Sequence, residues 1–473
     1  MPEKVSGSFR DPSGFMFRHD AKLYRQVNQK YREDYDLLMT SGLYEQLTKS
    51  KTLVAHKEVD LQLAPLPDIA YKIIQPEMVD FISYPYEWCF NQLKDAAILT
   101  LAIAKRALEY GMSLKDASAY NIQFKNGRPV FIDTLSFEKY EEGLPWVAYK
   151  QFCQHFLAPL ALMTKTDIRL SKLLRLHIDG IPLDLASKLL PASTKLNFGL
   201  GTHIHAHAKS QQRYADKQVS QEEIKVRLSK SSMVALLDSL LSTVRSLNVK
   251  TIQTEWTDYY QDNNYTPASF EAKRQLVKSF IERVEPKKVW DLGGNTGEFS
   301  RTASDMNIPT VCFDIDPGAV QQNYDLVKQN KEKFMLPLVM DLNNPSPDLG
   351  WHNSERESMQ ARGPVDLVMA LALIHHLAIS NNVPLVDVAI YLADLAENLI
   401  IEFVPKSDSQ VKRLLASRLD IFPEYNLECF KKSFETRFEL ILEQKVPGSE
   451  RTLVLFRRNQ NNDRAKVELS TVE

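Results

Sequence analysis

Hydrophobic positions recur along the chain in two rhythms. In the first half, Tyr35, Leu38, Met39, Leu43 and Leu47 fall three or four residues apart, which predicts a helix near Tyr31–Thr48. From about Leu61 to Met163 aromatic and aliphatic residues are dense. Asp95–Tyr110 reads there as a buried helix, Val130–Ile132 as a short strand and Trp146–Met163 as another helix. Residues 164–250 read as mainly helical and connecting, with a polar Gln- and Lys-rich stretch at Lys209–Lys230. The rhythm then changes. After a helix over Phe270–Val284, the apolar runs Lys288–Leu292, Thr310–Asp314, Met335–Met340, Val365–Ala370 and Leu399–Phe403 alternate with helical stretches such as Pro384–Asn398. Such alternation predicts βαβ units and a parallel sheet. Two last runs, Phe438–Leu442 and Thr452–Phe456, flank Pro447-Gly448 and predict an antiparallel hairpin.

A length of 473 residues allows two or three domains at roughly 150 residues each. The change of rhythm divides the chain into an α+β domain over residues 1–205, a helical connector over 206–250 and an α/β domain over 251–458. The polar tail 459–473 lacks apolar periodicity and reads as disordered. Charge nearly cancels, 58 Lys+Arg against 60 Asp+Glu, so no nucleic-acid partner is expected. Four cysteines without a CxxC give neither a disulfide framework nor a cysteine-based zinc site. The longest apolar runs, around Ala96–Ala104 and Phe156–Met163, are short of the roughly 20 residues that span a bilayer. The opening MPEKVSGSFRDPSGF has no apolar core of a signal peptide. A cytoplasmic protein without membrane insertion is expected; its oligomeric state is not readable.

The densest chemistry lies in Lys288–Ser300, KVWDLGGNTGEFS: an apolar strand, an acid, a Gly-rich turn and a helical start. A turn leaving a parallel strand uses Gly where φ is positive or where backbone approaches a ligand. Asp291 at the strand end is placed to bond a ligand group held above the turn. Asp314 closes the next strand 23 residues later, near the offset of an acid that takes both hydroxyls of a ribose. Asp341 follows the third strand, placed to face an adenine amino group.

Residues 285–458 therefore resemble a class I S-adenosylmethionine (SAM)-dependent methyltransferase. The turn Gly293-Gly294-Asn295-Thr296-Gly297 agrees with the DxGxxxG spacing of that family better than with the GxGxxG of dinucleotide binders. Asn295 stands where many members carry Gly, and Asn tolerates positive φ. The resemblance implies a Rossmann-like seven-stranded sheet, SAM as cofactor, and Asp291, Gly293, Gly294, Asn295, Gly297, Asp314 and Asp341 as its binding residues. More widely, SYPYEW…LKDASAYNIQF, TEWTDYYQDNNYTPASFEAK and FVPKSDSQVKRLL resemble, over nearly the whole chain, bacterial methyltransferases grouped with nodulation host-specificity proteins. The acceptor expected is a small molecule or glycan, for instance a saccharide hydroxyl.

A second informative segment runs from Ser113 to Asp133. Asp116, Asn121 five residues on, a short hairpin, and Asp133 closing an apolar strand resemble the catalytic segment of aminoglycoside- and lipopolysaccharide-kinase-like proteins. In that chemistry the first Asp orients a hydroxyl nucleophile, while Asn and the second Asp hold Mg²⁺ on nucleotide phosphates. No Gly-rich phosphate loop precedes it, and Lys72 is the phosphate-pairing candidate. The first half is accordingly read as kinase-like, without kinase activity. Two alternatives to a methyltransferase are a phosphotransferase using Asp116, Asn121 and Asp133, and a non-catalytic SAM-fold binding or scaffold protein.

His375 and His376 follow the fourth strand, where a methyl acceptor would sit, and an imidazole there could take a proton from a hydroxyl or amine. Glu402, ending the fifth strand, is a rival base. Three alternate histidines in Thr202–Ala208 would share one face of a strand, but no carboxylate or cysteine completes a metal site, and a loop or linker is expected. Tyr259, Tyr260 and Tyr265 suit either a lid or packing. Lys406 and Arg451 read as exposed-loop cations.

Overall fold

The computed structural model describes residues 2–214, 228–249, 266–416 and 419–459. Tyr259, Tyr260, Tyr265, the tail beyond Asn459 and most of Lys209–Lys230 lie outside the described residues. The chain forms two compact units, Met1–Thr251 with Leu349–Arg356, and Ile252–Asp348 with Glu357–Glu473.

The first unit opens with a five-stranded antiparallel sheet that includes the strands Gly14–His19, Lys22–Asn28 and Ala70–Pro76. The helix expected over Tyr31–Thr48 is two, Arg32–Thr40 and Leu43–Lys49, because Gly42 between them takes a φ of +88° that a continuous helix cannot hold. Next comes a long buried helix, Phe90–Glu109, starting five residues before the expected bound. Two small antiparallel pairs follow it: Met112–Leu114 with Phe137–Lys139, and Ile122–Lys125 with Arg128–Phe131. Tyr149–Phe152 continues through a π-turn at Cys153–Leu157 into Ala158–Lys165, so the helix read over Trp146–Met163 is present with a widened middle turn.

Thr202–Ala208 is helical, not a loop or strand: a π-turn over Gly201–Ala206 runs into the helix His207–Tyr214. Its histidines are structural. His203 bonds the Tyr149 hydroxyl at 2.8 Å and Ser239 at 2.9 Å, His205 bonds Ser187 and Thr194, and His207 stacks on Tyr149. Leu349–Arg356 completes this unit. The Glu355 carboxylate accepts two 2.7 Å bonds from Arg10, and the Arg356 guanidinium lies 3.9 Å from the Tyr120 ring centre.

The second unit is built on seven strands: β1 (Val289–Leu292), β2 (Thr310–Asp314), β3 (Met335–Val339), β4 (Val365–Ala370), β5 (Ala396–Phe403), β6 (Phe438–Lys445) and β7 (Thr452–Arg458). Their order in the sheet is β3-β2-β1-β4-β5-β7-β6. The first five are parallel, and the terminal hairpin enters with β7 antiparallel to β5. Every residue of β1 and β2 is buried, as expected of strands covered on both faces.

The helix Pro267–Val284 begins where the Thr266 side chain accepts from the Ser269 backbone N–H, with Pro at the first helical position. Val277, Phe280 and Ile281, three and four apart, press one face of it onto Val289, Leu367, Met369 and Ile400 of the sheet. Full burial of such side chains contributes about 1.5–3 kcal/mol each. Strand order reverses between β1 and β4, so a crevice opens there beyond the carboxyl ends of the strands. No helix among the described residues is long and apolar enough to cross a membrane.

Candidate functional site

A cavity of about 410 Å³ lies in the second unit. Asp291, Gly293, Gly294 and Asn295 line it from the end of β1, Asp314 and Ile315 from β2, Met340–Asn343 from β3 and Leu371–Leu373 from β4. Further walls come from Phe270 and Lys273 on the helix Pro267–Val284, from His376 and Leu377, and from Arg451 at the hairpin.

The turn after β1 is shaped by close approach. Gly293 has a φ of +76° and Gly297 of +83°. A Cβ on Gly294 would stand 2.5 Å from the Cys312 sulfur and 2.8 Å from an Asp291 oxygen, so only hydrogen fits. Asn295 holds a φ of +51°, the left-handed conformation that Asn accepts, and its Oδ1 accepts from the Thr296 N–H at 2.8 Å. The turn thus keeps its shape without Gly at that position.

Both key acids are buried. Asp291 accepts a 2.6 Å bond from the Ser300 hydroxyl, and burial pushes its carboxyl up to about 6. Asp314 accepts from the backbone N–H of Asn295 on one oxygen and of Asp316 on the other, each at 2.8 Å; burial pushes it up to about 6 as well. Asp341 is half-buried on the cavity wall beyond β3, steadied by the Asn343 N–H at 3.0 Å. Gly297 lies behind the turn and does not line the cavity: its N–H donates to Gly294, and a Cβ there would strike Asn323.

The residues offered as bases separate. His376 lines the cavity, and burial together with Arg451 lowers its imidazole to about 4, so it is neutral at physiological pH. His375 stands behind it, with ring centres 4.1 Å apart; it is fully buried and outside the cavity lining. Glu402 is fully buried and accepts a 2.8 Å bond from Lys273 Nζ, which places its carboxylate behind the wall.

Arg451 is not an exposed-loop cation: only 1% of it is exposed. Its Nε donates to Asp408 at 2.8 Å, and Nη1 lies 3.9 Å from Glu402. This burial follows from the hairpin, where Thr452 pairs with Phe403 and carries its predecessor over the end of β5. Lys406 does lie in a loop, bonded to Asp420. Lys273, in a stretch read only as helix, was missed.

In the first unit, Asp116 follows the strand Met112–Leu114, Asn121 precedes Ile122–Lys125, and Asp133 follows Arg128–Phe131. The fold brings the three together: Asp116 is raised by burial and by Asp133, and Asn121 bonds it. Asp133, however, is held by the Arg25 guanidinium and the Ser136 hydroxyl, and Asp116 by Gln151 and the Ser118 N–H. Arg25 is thus the cation that already neutralises Asp133. Lys72 pairs with Glu58 at 2.6 Å. No cluster of three or more His, Cys, Asp or Glu residues fit for a metal occurs among the described residues.

The sheet is that of the class I SAM-dependent methyltransferases: five parallel strands, a reversal of order between β1 and β4, and an antiparallel terminal hairpin. No protein-family model matches the chain. Among solved structures, the chain is similar to the magnesium protoporphyrin IX methyltransferase ChlM of Synechocystis PCC 6803 with bound SAH, at 17% identity over 43% of this chain and 93% of that one, with a TM-score of 0.31. It is also similar to the bifunctional kinase-methyltransferase WbdD, at 18% identity over 46% of this chain and 45% of that one, with a TM-score of 0.28. Among curated proteins it is similar to the nodulation protein NoeA of Rhizobium meliloti (strain 1021), 37% identical over 469 residues, 97% of each chain. With that identity sustained along almost its whole length, the chain belongs to the NoeA family of nodulation proteins.

Proposed function

We propose that the chain is a SAM-dependent methyltransferase acting on a small-molecule or saccharide acceptor. The observation that carries this reading is the cavity at the β1/β4 reversal, where Asp291, Gly293, Gly294, Asn295, Asp314 and Asp341 meet. These residues fit the cofactor. Gly294 leaves backbone bare where a side chain cannot stand, and Asp314, fixed by the backbone N–H groups of Asn295, Ile315 and Asp316, faces the cavity as an acceptor for a ribose hydroxyl. Asp341 supplies an acceptor for an amino group.

When bound, SAM supplies an electrophilic methyl group on a sulfonium that is already a good leaving group. The protein's part is then orientation and exclusion of water by Phe270, Phe299, Leu371, Leu373 and Leu377. Of the three bases considered, His376 faces the cavity in its neutral form and can accept a hydrogen bond from an acceptor hydroxyl. His375 and Glu402 stand behind the wall, out of reach of an acceptor.

Calorimetric titration of SAM and S-adenosylhomocysteine (SAH) into the full chain, with Asp314→Ala alongside, tests the reading. Micromolar binding by the wild type and its loss in the variant are expected. Absence of SAH binding to the wild type overturns it.

A further inference from the structure

The first unit carries an apolar tip that nothing among the described residues covers. In the helix Leu183–Leu189, Leu183 and Ala186 are buried, while Lys188 and Leu189 are exposed. Thr194 is the buried residue of the next turn, Ala192–Leu196, and Gly199 and Leu200 are those of Phe198–Leu200. What stands outside is Leu196, 91% exposed, and Phe198, 82% exposed. A single exposed apolar residue is ordinary on a protein surface, but two large ones side by side and almost bare mark a contact.

The tip is held in place. His205 Nδ1 meets the Ser187 hydroxyl at 2.7 Å and its Nε2 the Thr194 hydroxyl at 2.8 Å, so one buried imidazole ties the helix to the turn. The Asn197 side chain accepts from the Leu200 N–H at 2.9 Å. A Cβ on Gly199 would stand 2.2 Å from the Thr243 hydroxyl oxygen, so glycine seats this backbone close on the helix Lys230–Ser246, with Phe198 on the outside. Lysines gather at the same edge. After burial, the charges of Lys195 and Lys209 are what lower the His205 imidazole, and Lys188 follows Ser187 directly. Of the nearby acids, Asp167 is engaged by Arg169 at 2.7 Å and Asp184 is half-buried. The edge is thus locally basic in a chain of net charge -2.

The combination selects a partner. A nucleic-acid duplex would answer the lysines and leave Leu196 and Phe198 in water. An anionic bilayer answers both, since its headgroups attract ammonium groups while short apolar tips enter the acyl boundary. Lysine stems can lie along that boundary with their charged ends in the headgroup layer. We propose that this edge of the first unit is a peripheral contact for an anionic lipid surface, Leu196 and Phe198 entering the layer and Lys188, Lys195 and Lys209 meeting its phosphates. Such a contact needs no spanning segment, and it does not depend on what fills the cavity of the second unit.

Co-sedimentation of the full chain with vesicles of phosphatidylcholine, and of phosphatidylcholine mixed with phosphatidylglycerol, tests the proposal. Binding to the mixed vesicles is expected to be stronger by about tenfold or more, the worth of two or three lysines at such a surface, and to weaken in high salt. Leu196→Ser combined with Phe198→Ser should lower it by about tenfold or more, the loss of two buried apolar side chains. Lys188→Gln combined with Lys195→Gln should abolish the preference for the anionic lipid. All four side chains are exposed, so the melting temperature should not move. No binding by the wild type, equal binding to both kinds of vesicle, or binding that both variants retain overturns the proposal. So does a dimer in analytical ultracentrifugation, or binding of single-stranded RNA, that Leu196→Ser with Phe198→Ser abolishes while vesicles are ignored; a second copy or a nucleic acid would then be the partner.

Discussion

At Asp314 the backbone N–H of Asn295 holds one carboxylate oxygen and that of Asp316 the other, and the Ile315 N–H adds to them. The side chain is fixed before any ligand arrives, and it faces the cavity as an acceptor for a ribose hydroxyl. Asp314→Asn keeps the shape but loses the charge and turns one acceptor into a donor. Calorimetry should find SAH affinity lower by about 10- to 100-fold, the worth of charge-assisted bonds, and the melting temperature should fall too, because the new NH2 faces one of the backbone N–H donors. The pH dependence follows from burial. Asp291 and Asp314 titrate near 6 in the fold, against about 4 in an unfolded chain. Between those values the folded state binds more protons, so their contribution to stability of the free protein falls as pH rises from about 4 to 6. Ligand binding runs the other way, because the ionised form accepts the hydroxyl bonds. SAH affinity should be level above pH 7 and fall by up to about tenfold per unit below 6. An affinity unchanged from pH 7 to 5 would remove Asp314 from the ribose role. His376, at about 4, adds no step between 6 and 8.

The turn after β1 and the helix Pro267–Val284 carry predictions of their own. In Gly294→Ala a methyl group must displace the Cys312 sulfur or the Asp291 carboxylate, both in the packed interior. A destabilisation of about 1–3 kcal/mol in urea unfolding, with loss of SAH binding, is expected. Glu402→Gln leaves Lys273 buried without its charge partner and should cost about 3–5 kcal/mol, whereas Glu402→Leu combined with Lys273→Met should recover most of it. Equal losses in both proteins would show that the cost does not come from the unpaired lysine and that the pair outweighs its apolar replacement. These elements also show why legibility was uneven. The acids and glycines of β1, β2 and β3 were readable because a strand end and its turn are local patterns. Lys273 was not, since a polar residue in a helical stretch defaults to the solvent face, and its partner lies 129 residues away. Arg451 followed a Pro-Gly turn and so read as exposed, until the pairing of β7 with β5 buried it. Gly42 gave no strong signal inside a helical rhythm, yet its φ of +88° divides that helix.

Over the whole molecule, chemistry is concentrated unequally. In the second unit the sequence-marked acids converge on one cavity; in the first, Asp116, Asn121 and Asp133 also converge, but Arg25 and Ser136 hold Asp133. Hydrogen exchange with saturating SAH should therefore show new protection at Val289–Asn295 and Asp314–Ile315. None is expected at Asp116–Asp133, where millimolar Mg-ATP should add none either. Protection of that segment by Mg-ATP would reopen phosphotransfer. The alternating rhythm of the second half made its sheet legible at this scale, because βαβ units announce their order. The five-stranded sheet of the first half was not, its strands being separated by helices and turns without a repeating period.

The short run Leu349–Arg356 has one more consequence. Although it lies between β3 and β4 in sequence, it belongs to the first unit, where Glu355 answers Arg10 and Arg356 covers Tyr120. During synthesis the first unit therefore waits for residues encoded well inside the second. A ribosome paused after Thr251 would present a unit in which Arg10 still lacks Glu355 and Tyr120 still lacks Arg356, and no single cut in the gene separates the two units intact. An exchange of the first unit for a relative's keeps these contacts only if Leu349–Arg356 travels with it.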